Sequence, residues 1–197
     1  MKSSKVSLFL MELIIAILFF ALASAVCIQL FVKSHLLGNT TIRENHALLM
    51  CQNLSEIYLG LLPDYVKEDP DALKDAMVSL IKEDPALSGS YLELSVEQTD
   101  VLYNLLPSSV LSSDPVQDDA STPASDPVFR IFLCFDENRK PCSMGNADYL
   151  FLFSYLGYQE EADVYEASVW AYDVSDSSSY QPIYHINVCK HIAERMP

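Results

Sequence analysis

Residues Leu8 to Val32 form a run of 25 residues in which Glu12 carries the only charge. As an α-helix rising about 1.5 Å per residue, the run measures roughly 37 Å, enough to cross a hydrocarbon core of about 30 Å with some tilt. It therefore reads as a membrane helix. Lys2 and Lys5 precede it and no acid does. The positive-inside tendency then puts the short N-terminus in the cytoplasm and everything after Val32 outside.

Glu12 is an anomaly in such a run, because an ionised carboxylate in hydrocarbon costs about 3 kcal/mol on insertion scales. A chain needing only an anchor has no use for it. The plain reading is a carboxylate near the cytoplasmic interface that snorkels or stays protonated. A cleaved secretory signal is the other simple account, with Ala23-Ser24-Ala25 as its cleavage pattern. Against it, Glu12 interrupts the start of the apolar region, and the run exceeds the roughly 7 to 15 residues of a signal. Val26 in front of Cys27 argues against a lipoprotein signal.

Ser7 followed by Leu8-Phe9-Leu10-Met11-Glu12-Leu13-Ile14 resembles the N-terminal segment of type IV pilins and of the pseudopilins of type II secretion and competence systems. In that segment a short basic leader and a cleavage point precede a hydrophobic helix with glutamate as its fifth mature residue. The resemblance covers residues 8–32 by sequence and the following thirty by architecture. It implies cleavage between Ser7 and Leu8 by a prepilin-type peptidase, N-methylation of Leu8, and pairing of Glu12 with the terminal amine of a neighbouring subunit during filament assembly. The implied partners are other pilin-like subunits, the prepilin peptidase, an assembly-platform membrane protein and the lipid bilayer. Ser7 stands where family leaders usually end in glycine, and Leu8 where phenylalanine or methionine is common.

Beyond the membrane the periodicity continues. Ala47, Met50, Cys51, Leu54, Ile57, Tyr58 and Leu61 recur at three- and four-residue steps, which lines them along one helix face. Leu8 to Leu62 as one helix is about 80 Å long. Gly38, Asn39, Thr40 and Thr41 mark its weakest point, and Pro63-Asp64 is its expected end. A second helix is predicted from Asp69 as N-cap, with Pro70 at its first position, to Asp84-Pro85. Its expected buried face is Leu73, Ala76, Met77, Leu80 and Ile81.

The rest reads as strands. Tyr91 to Gln98 alternates apolar and polar residues, as a half-buried strand does, and a helical turn is expected over Val101 to Leu106. Residues 107–127 are rich in serine, aspartate and proline and read as a mobile loop. Val128 to Phe135, Tyr149 to Tyr158, Val164 to Val174 and Ile183 to Lys190 are strand formers separated by turn-prone segments, an antiparallel meander. The expected fold is α+β: a long N-terminal helix, half membrane-spanning and half amphipathic, packed on an antiparallel β-sheet head in a pilin-like order. Its parts are a leader or cytoplasmic N-terminus (1–7), a transmembrane helix (8–32), its continuation (33–62) and an extracytoplasmic head (63–197).

Charge bounds the partners. After Val32 there are 10 basic and 26 acidic residues, and without a basic patch nucleic acid is a poor ligand. Cys27 lies in the apolar run, so Cys51, Cys134, Cys142 and Cys189 remain for disulfides, with three complete pairings open. Cys134 and Cys142 flank Phe135 to Pro141 and are placed to staple a hairpin. Free buried thiols are the alternative.

No Gly-rich phosphate loop, G-x-S-x-G, H-E-x-x-H or C-x-x-C occurs, so neither an enzyme nor a cofactor is expected. His185, Cys189 and His191 share parity on a strand but span about 20 Å, too far for one ion. Asp114, Asp118 and Asp119 lack the glycine and terminal glutamate of a calcium loop. Trp170 and the tyrosines read as packing residues. Two functions stand: a minor pilin or pseudopilin polymerising through its N-terminal helix, or a single-pass or secreted extracytoplasmic ligand-binding protein with no filament role.

Overall fold

One α-helix, α1, runs from Ser3 to Tyr65 and carries both the apolar run and the amphipathic stretch after it. The computed structural model describes residues 3–65, 69–95, 98, 102, 106, 127–160, 162–175 and 180–191, with the side chains of 3–8 and 63–65 excepted. These residues form two units, one ending at Arg43 and one beginning at Glu44. In the first unit, Phe9, Phe19, Phe20, Ile28 and Phe31 are all exposed. A helix apolar on every side has no use for water. α1 is long and apolar enough to cross a membrane. Helical structure continues through Gly38 and Asn39, and the Thr40 and Thr41 hydroxyls donate back to the carbonyls of Leu36 and Leu37.

The second unit is an α+β head. Ala47, Met50, Cys51, Leu54, Tyr58 and Leu62 form the buried stripe of α1. The expected end at Pro63-Asp64 is two residues short, because α1 reaches Tyr65. A proline there removes one N–H and leaves the Leu59 carbonyl without its helical donor. Helix α2 spans Pro70–Glu83, and the Asp69 side chain accepts from the Asp71 N–H at its start. Its buried stripe is Leu73, Met77 and Ile81. Leu80, expected inside, is exposed: one step back from Ile81, it lies about 100° around the helix.

The sheet is a four-stranded antiparallel meander in the order β1 (Phe129–Phe135), β2 (Tyr149–Gln159), β3 (Val164–Asp173) and β4 (Gln181–Lys190). Its register places Leu133, Phe151 and Ala171 across one row and Phe132, Leu152, Trp170 and His185 across the next. Alternation sends the first kind of row to the helices. Phe129, Ile131, Leu133 and Phe135 join Tyr149, Phe151, Phe153, Tyr155, Ala167, Val169, Ala171 and Val188 in one core with α1 and α2. Each large side chain so buried contributes about 1.5–3 kcal/mol. The register shifts between Tyr155 and Gly157, and Gly157 adopts φ +91°, which a side chain resists.

The other sheet face is also covered. Phe132, Cys134, Leu150, Leu152, Trp170 and Tyr172 pack with Leu102, Leu106 and Val174, flanked by Leu92, Leu94, Cys142 and Met144. Of the strand expected over Tyr91 to Gln98, the described residues 91–95 show one bridge and no regular strand. Tyr91 makes a single bridge to Leu133, flanked by bonds from the Leu92 N–H to the Phe132 carbonyl and from the Cys134 N–H to the Ser90 carbonyl, and Leu92 and Leu94 lie on this face. The apolar alternation there reflects burial without a ladder. Of the turn expected over Val101 to Leu106, only Leu102 and Leu106 are described. The loop 107–127 lies outside the described residues except for Pro127, and so do Asp114, Asp118 and Asp119.

Candidate functional site on the N-terminal helix

Glu12 lies on α1 between Met11 and Leu13, in a stretch where every neighbour along the helix is apolar and exposed. Its side chain is exposed too, and among the described residues it has neither a hydrogen bond nor an ion-pair partner. Ser7 and Leu8 are helical, five and four residues before it, and their side chains lie outside the described set. The three residues singled out for processing and assembly therefore sit on little more than one turn of a single helix. A carboxylate on such a surface is an acceptor with no donor in reach among the described residues. In an apolar surround it has to take a proton or a cation from another molecule.

The head grips α1 through a second set of side chains. His46 is buried, with Phe135, Tyr149 and Phe151 edge-on at 5.9, 5.1 and 5.8 Å between ring centroids. Its Nδ1 is buried without a hydrogen-bond partner. Burial, aided by the nearby Arg139 guanidinium, pulls its imidazole down to about 4, so at neutral pH the ring is uncharged. Three turns on, Tyr58 packs fully buried against Phe153 and Tyr155, and burial raises its phenol. Lys190, the last residue of β4, donates from Nζ to the Leu59 carbonyl at 2.9 Å. That carbonyl is the one orphaned by Pro63, so the ammonium replaces the missing helical N–H.

Sequence periodicity predicts the apolar part of this grip and misses both His46 and Lys190. The spacing of His46 one position before Ala47 was a usable signal, since it extends the stripe. Nothing local marks Lys190.

Cys134 and Cys142 are free thiols in the structure. Cys134 is buried, with Sγ 3.5 Å from Met144 Sδ, and burial pushes its thiol up to about 12. Cys142 is partly exposed, with Sγ 3.5 Å from the Asn146 carbonyl. His185 and His191 have different neighbours. His185 stacks on Trp170 at 3.8 Å, whereas His191 Nε2 meets Asp163 Oδ2 at 2.6 Å. Asp163 also accepts from the Tyr158 hydroxyl at 2.6 Å, and these two bonds hold its carboxyl below the usual range. Asp163 adopts φ +54°. This exposed trio ties the β2–β3 turn to the end of β4. Trp170 is nine-tenths buried and stacked on Tyr172 as well as His185, the packing role expected for it.

Comparison with known protein families, characterised proteins and solved structures finds no match for this chain.

Proposed function

We propose that this chain is a structural subunit, a minor pilin or pseudopilin, of a type IV pilus-like or type II secretion-like filament that polymerises through α1. The observation that carries the reading is Glu12: an exposed carboxylate on an apolar membrane-length helix, with no intramolecular partner among the described residues. Cleavage after Ser7 creates an α-amine on Leu8, and that amine on a neighbouring copy is the cation Glu12 needs. Both charges then neutralise each other in hydrocarbon, which removes much of the cost of burying either one alone.

The partners under this reading are other pilin-like subunits, the prepilin peptidase, an assembly-platform membrane protein and the bilayer. The N-terminus is cytoplasmic and the acidic head extracytoplasmic, carried into a surface filament on assembly. The head decorates or caps the fibre.

The test has two readouts. Mass spectrometry of the mature chain gives its N-terminal residue: methylated Leu8 is expected, and an intact Met1 or a start at Val26 refutes the processing step. Glu12→Gln and Glu12→Ala are expected to insert in the membrane as wild type does while losing filament incorporation. Unchanged incorporation sinks the role given to Glu12.

A further inference from the structure

After β1 the chain folds back on itself within a few residues. Phe135 and Pro141 form a bridge, the Cys142 N–H donates to the Cys134 carbonyl at 3.1 Å, and the Asp136 N–H donates to the Lys140 carbonyl at 2.9 Å. The turn between them is pinned. The Arg139 N–H donates to the Asp136 carbonyl, the Lys140 N–H donates to Asp136 Oδ1, and Arg139 takes φ +64°. Cys134 and Cys142 thus face each other across two antiparallel segments. Directly opposed residues in such a pair have Cβ atoms about 4.5–5.5 Å apart and Cα atoms about 4.5–5.5 Å apart. Disulfides span Cα separations of roughly 4.4–6.8 Å and Cβ separations of about 3.5–4.5 Å, so the backbone spacing suits a bridge once the two Cβ atoms close by up to about 1 Å.

Both side chains also lie on one side of the sheet. Cys134 is inside the outer-face cluster and Cys142 packs against its rim, with the Met144–Asn146 turn receiving both sulfurs. Rotation of the two side chains away from Met144 Sδ and the Asn146 carbonyl is what brings them together. No such opposite number exists for the remaining thiols: Cys51 is buried in the helix-side core, Cys189 is exposed on β4, and Cys27 is in the apolar run.

We propose that Cys134 and Cys142 form a redox site, a cross-strand dithiol that closes to an intramolecular disulfide by exchange with a small-molecule disulfide. The order of attack follows from access. Cys142, partly exposed, reaches the oxidant first: its thiolate attacks one sulfur of R–S–S–R, the S–S bond breaks, and one RS⁻ leaves with a Cys142–S–S–R mixed disulfide behind. Cys134 then attacks the Cys142 sulfur and expels the second RS⁻. Two protein thiols are oxidised, one small disulfide is reduced, and the two thiol protons end on the two released RSH. Cys134 is the resolving thiol because burial keeps it protonated and shielded until the mixed disulfide is held against it. Closure in the cell rests on the extracytoplasmic placement of the head given above, where thiol oxidation is permitted.

The experiment uses the full chain in detergent micelles, carrying Cys189→Ser to remove the exposed competitor, with oxidised glutathione as the probe. Closure is expected to remove two hydrogens from the intact mass and leave Cys51 as a thiol. Trypsin cuts after Arg139, between the two cysteines, so peptide 131–139 should stay joined to peptide 140–190 until a reductant is added. Added Cys134→Ser should arrest the reaction as a stable glutathione adduct on Cys142, and added Cys142→Ser should leave Cys134 unmodified until denaturant is present. Unjoined peptides with only a glutathione adduct on Cys142 overturn the proposal, as does equal modification of Cys134 in the Cys142→Ser chain. Acid-quenching whole cells and then alkylating separates the two readings. Free thiols in cells, with closure in micelles, refute the extracytoplasmic placement and leave the redox pair supported.

Discussion

Acidification should loosen the head through His46, and the size of the effect follows from its surroundings. The imidazole is 8% exposed, edge-on to three aromatic rings, faced by the Tyr149 phenol from β2 and the Arg139 guanidinium from the turn after β1. Burial and the Arg139 charge both oppose a positive charge there. The folded-state value, about 4, is below the ordinary 6.5. As pH falls the unfolded chain therefore takes up the proton first. The stability that neutral His46 supplies is complete above the ordinary value and drains away between the two. At roughly 1.4 kcal/mol per pH unit, moving from pH about 7 to about 5 removes about 2 kcal/mol, and moving to pH about 4 removes about 3 kcal/mol.

The assay is denaturant unfolding of the full chain in micelles, followed by Trp170 fluorescence at several pH values. His185, also lowered by burial, adds to the acid loss. Asp163, held low by its hydrogen bonds, adds a further loss at still lower pH. Comparison with His46→Leu subtracts both. Leucine keeps an apolar filling of similar bulk and removes the unpartnered Nδ1, so the variant should match or exceed wild-type stability near pH 4 and show a flatter pH profile by about 3 kcal/mol. An identical pH slope in the two chains would refute the argument that burial of His46, aided by Arg139, produces the acid loss.

Two further perturbations test the way the helix is held and the sheet is bent. Lys190→Met should destabilise the head by about 1–2 kcal/mol by leaving the Leu59 carbonyl without a donor. Combining it with Pro63→Ala should recover most of that loss in the same unfolding assay, because alanine restores the helical N–H; additive losses would argue against the replacement role. Gly157→Ala should cost about 1–3 kcal/mol from its φ of +91°, read as a lower thermal midpoint, while its new Cβ would meet Val128 Cγ2 only at contact distance, 3.4 Å.

Much of this architecture is legible residue by residue. The Asp69-Pro70 start and the Asp84-Pro85 stop of α2 are local chemistry, a side-chain acceptor for orphan N–H groups and a ring that tolerates the first turn, and the observed bounds agree with them. The four strands follow from runs of β-branched and aromatic residues between turns, and the order of β2, β3 and β4 from connections too short for a crossover. Period alone is less informative where burial and pairing separate, as at Tyr91 to Ser95, where an alternating segment covers a sheet face and makes one bridge. The candidate site divides the same way. Glu12 stands out in the sequence because its cost is a property of its immediate neighbours.

By itself the sequence determined that this protein has a membrane-length helix with one carboxylate in it, an amphipathic continuation, a capped second helix and an antiparallel meander. Each depends on residues within a few positions of one another, where spacing and transfer energies operate. Tertiary structure alone decided that His46 sits in an aromatic cage, that Lys190 supplies the hydrogen bond Pro63 withholds across 131 residues of chain, and that Cys134 and Cys142 share one side of the sheet. Those pairings are made when α1 and the strands close on a common core. Burial then fixes which polar groups lose water and which partners remain to replace it.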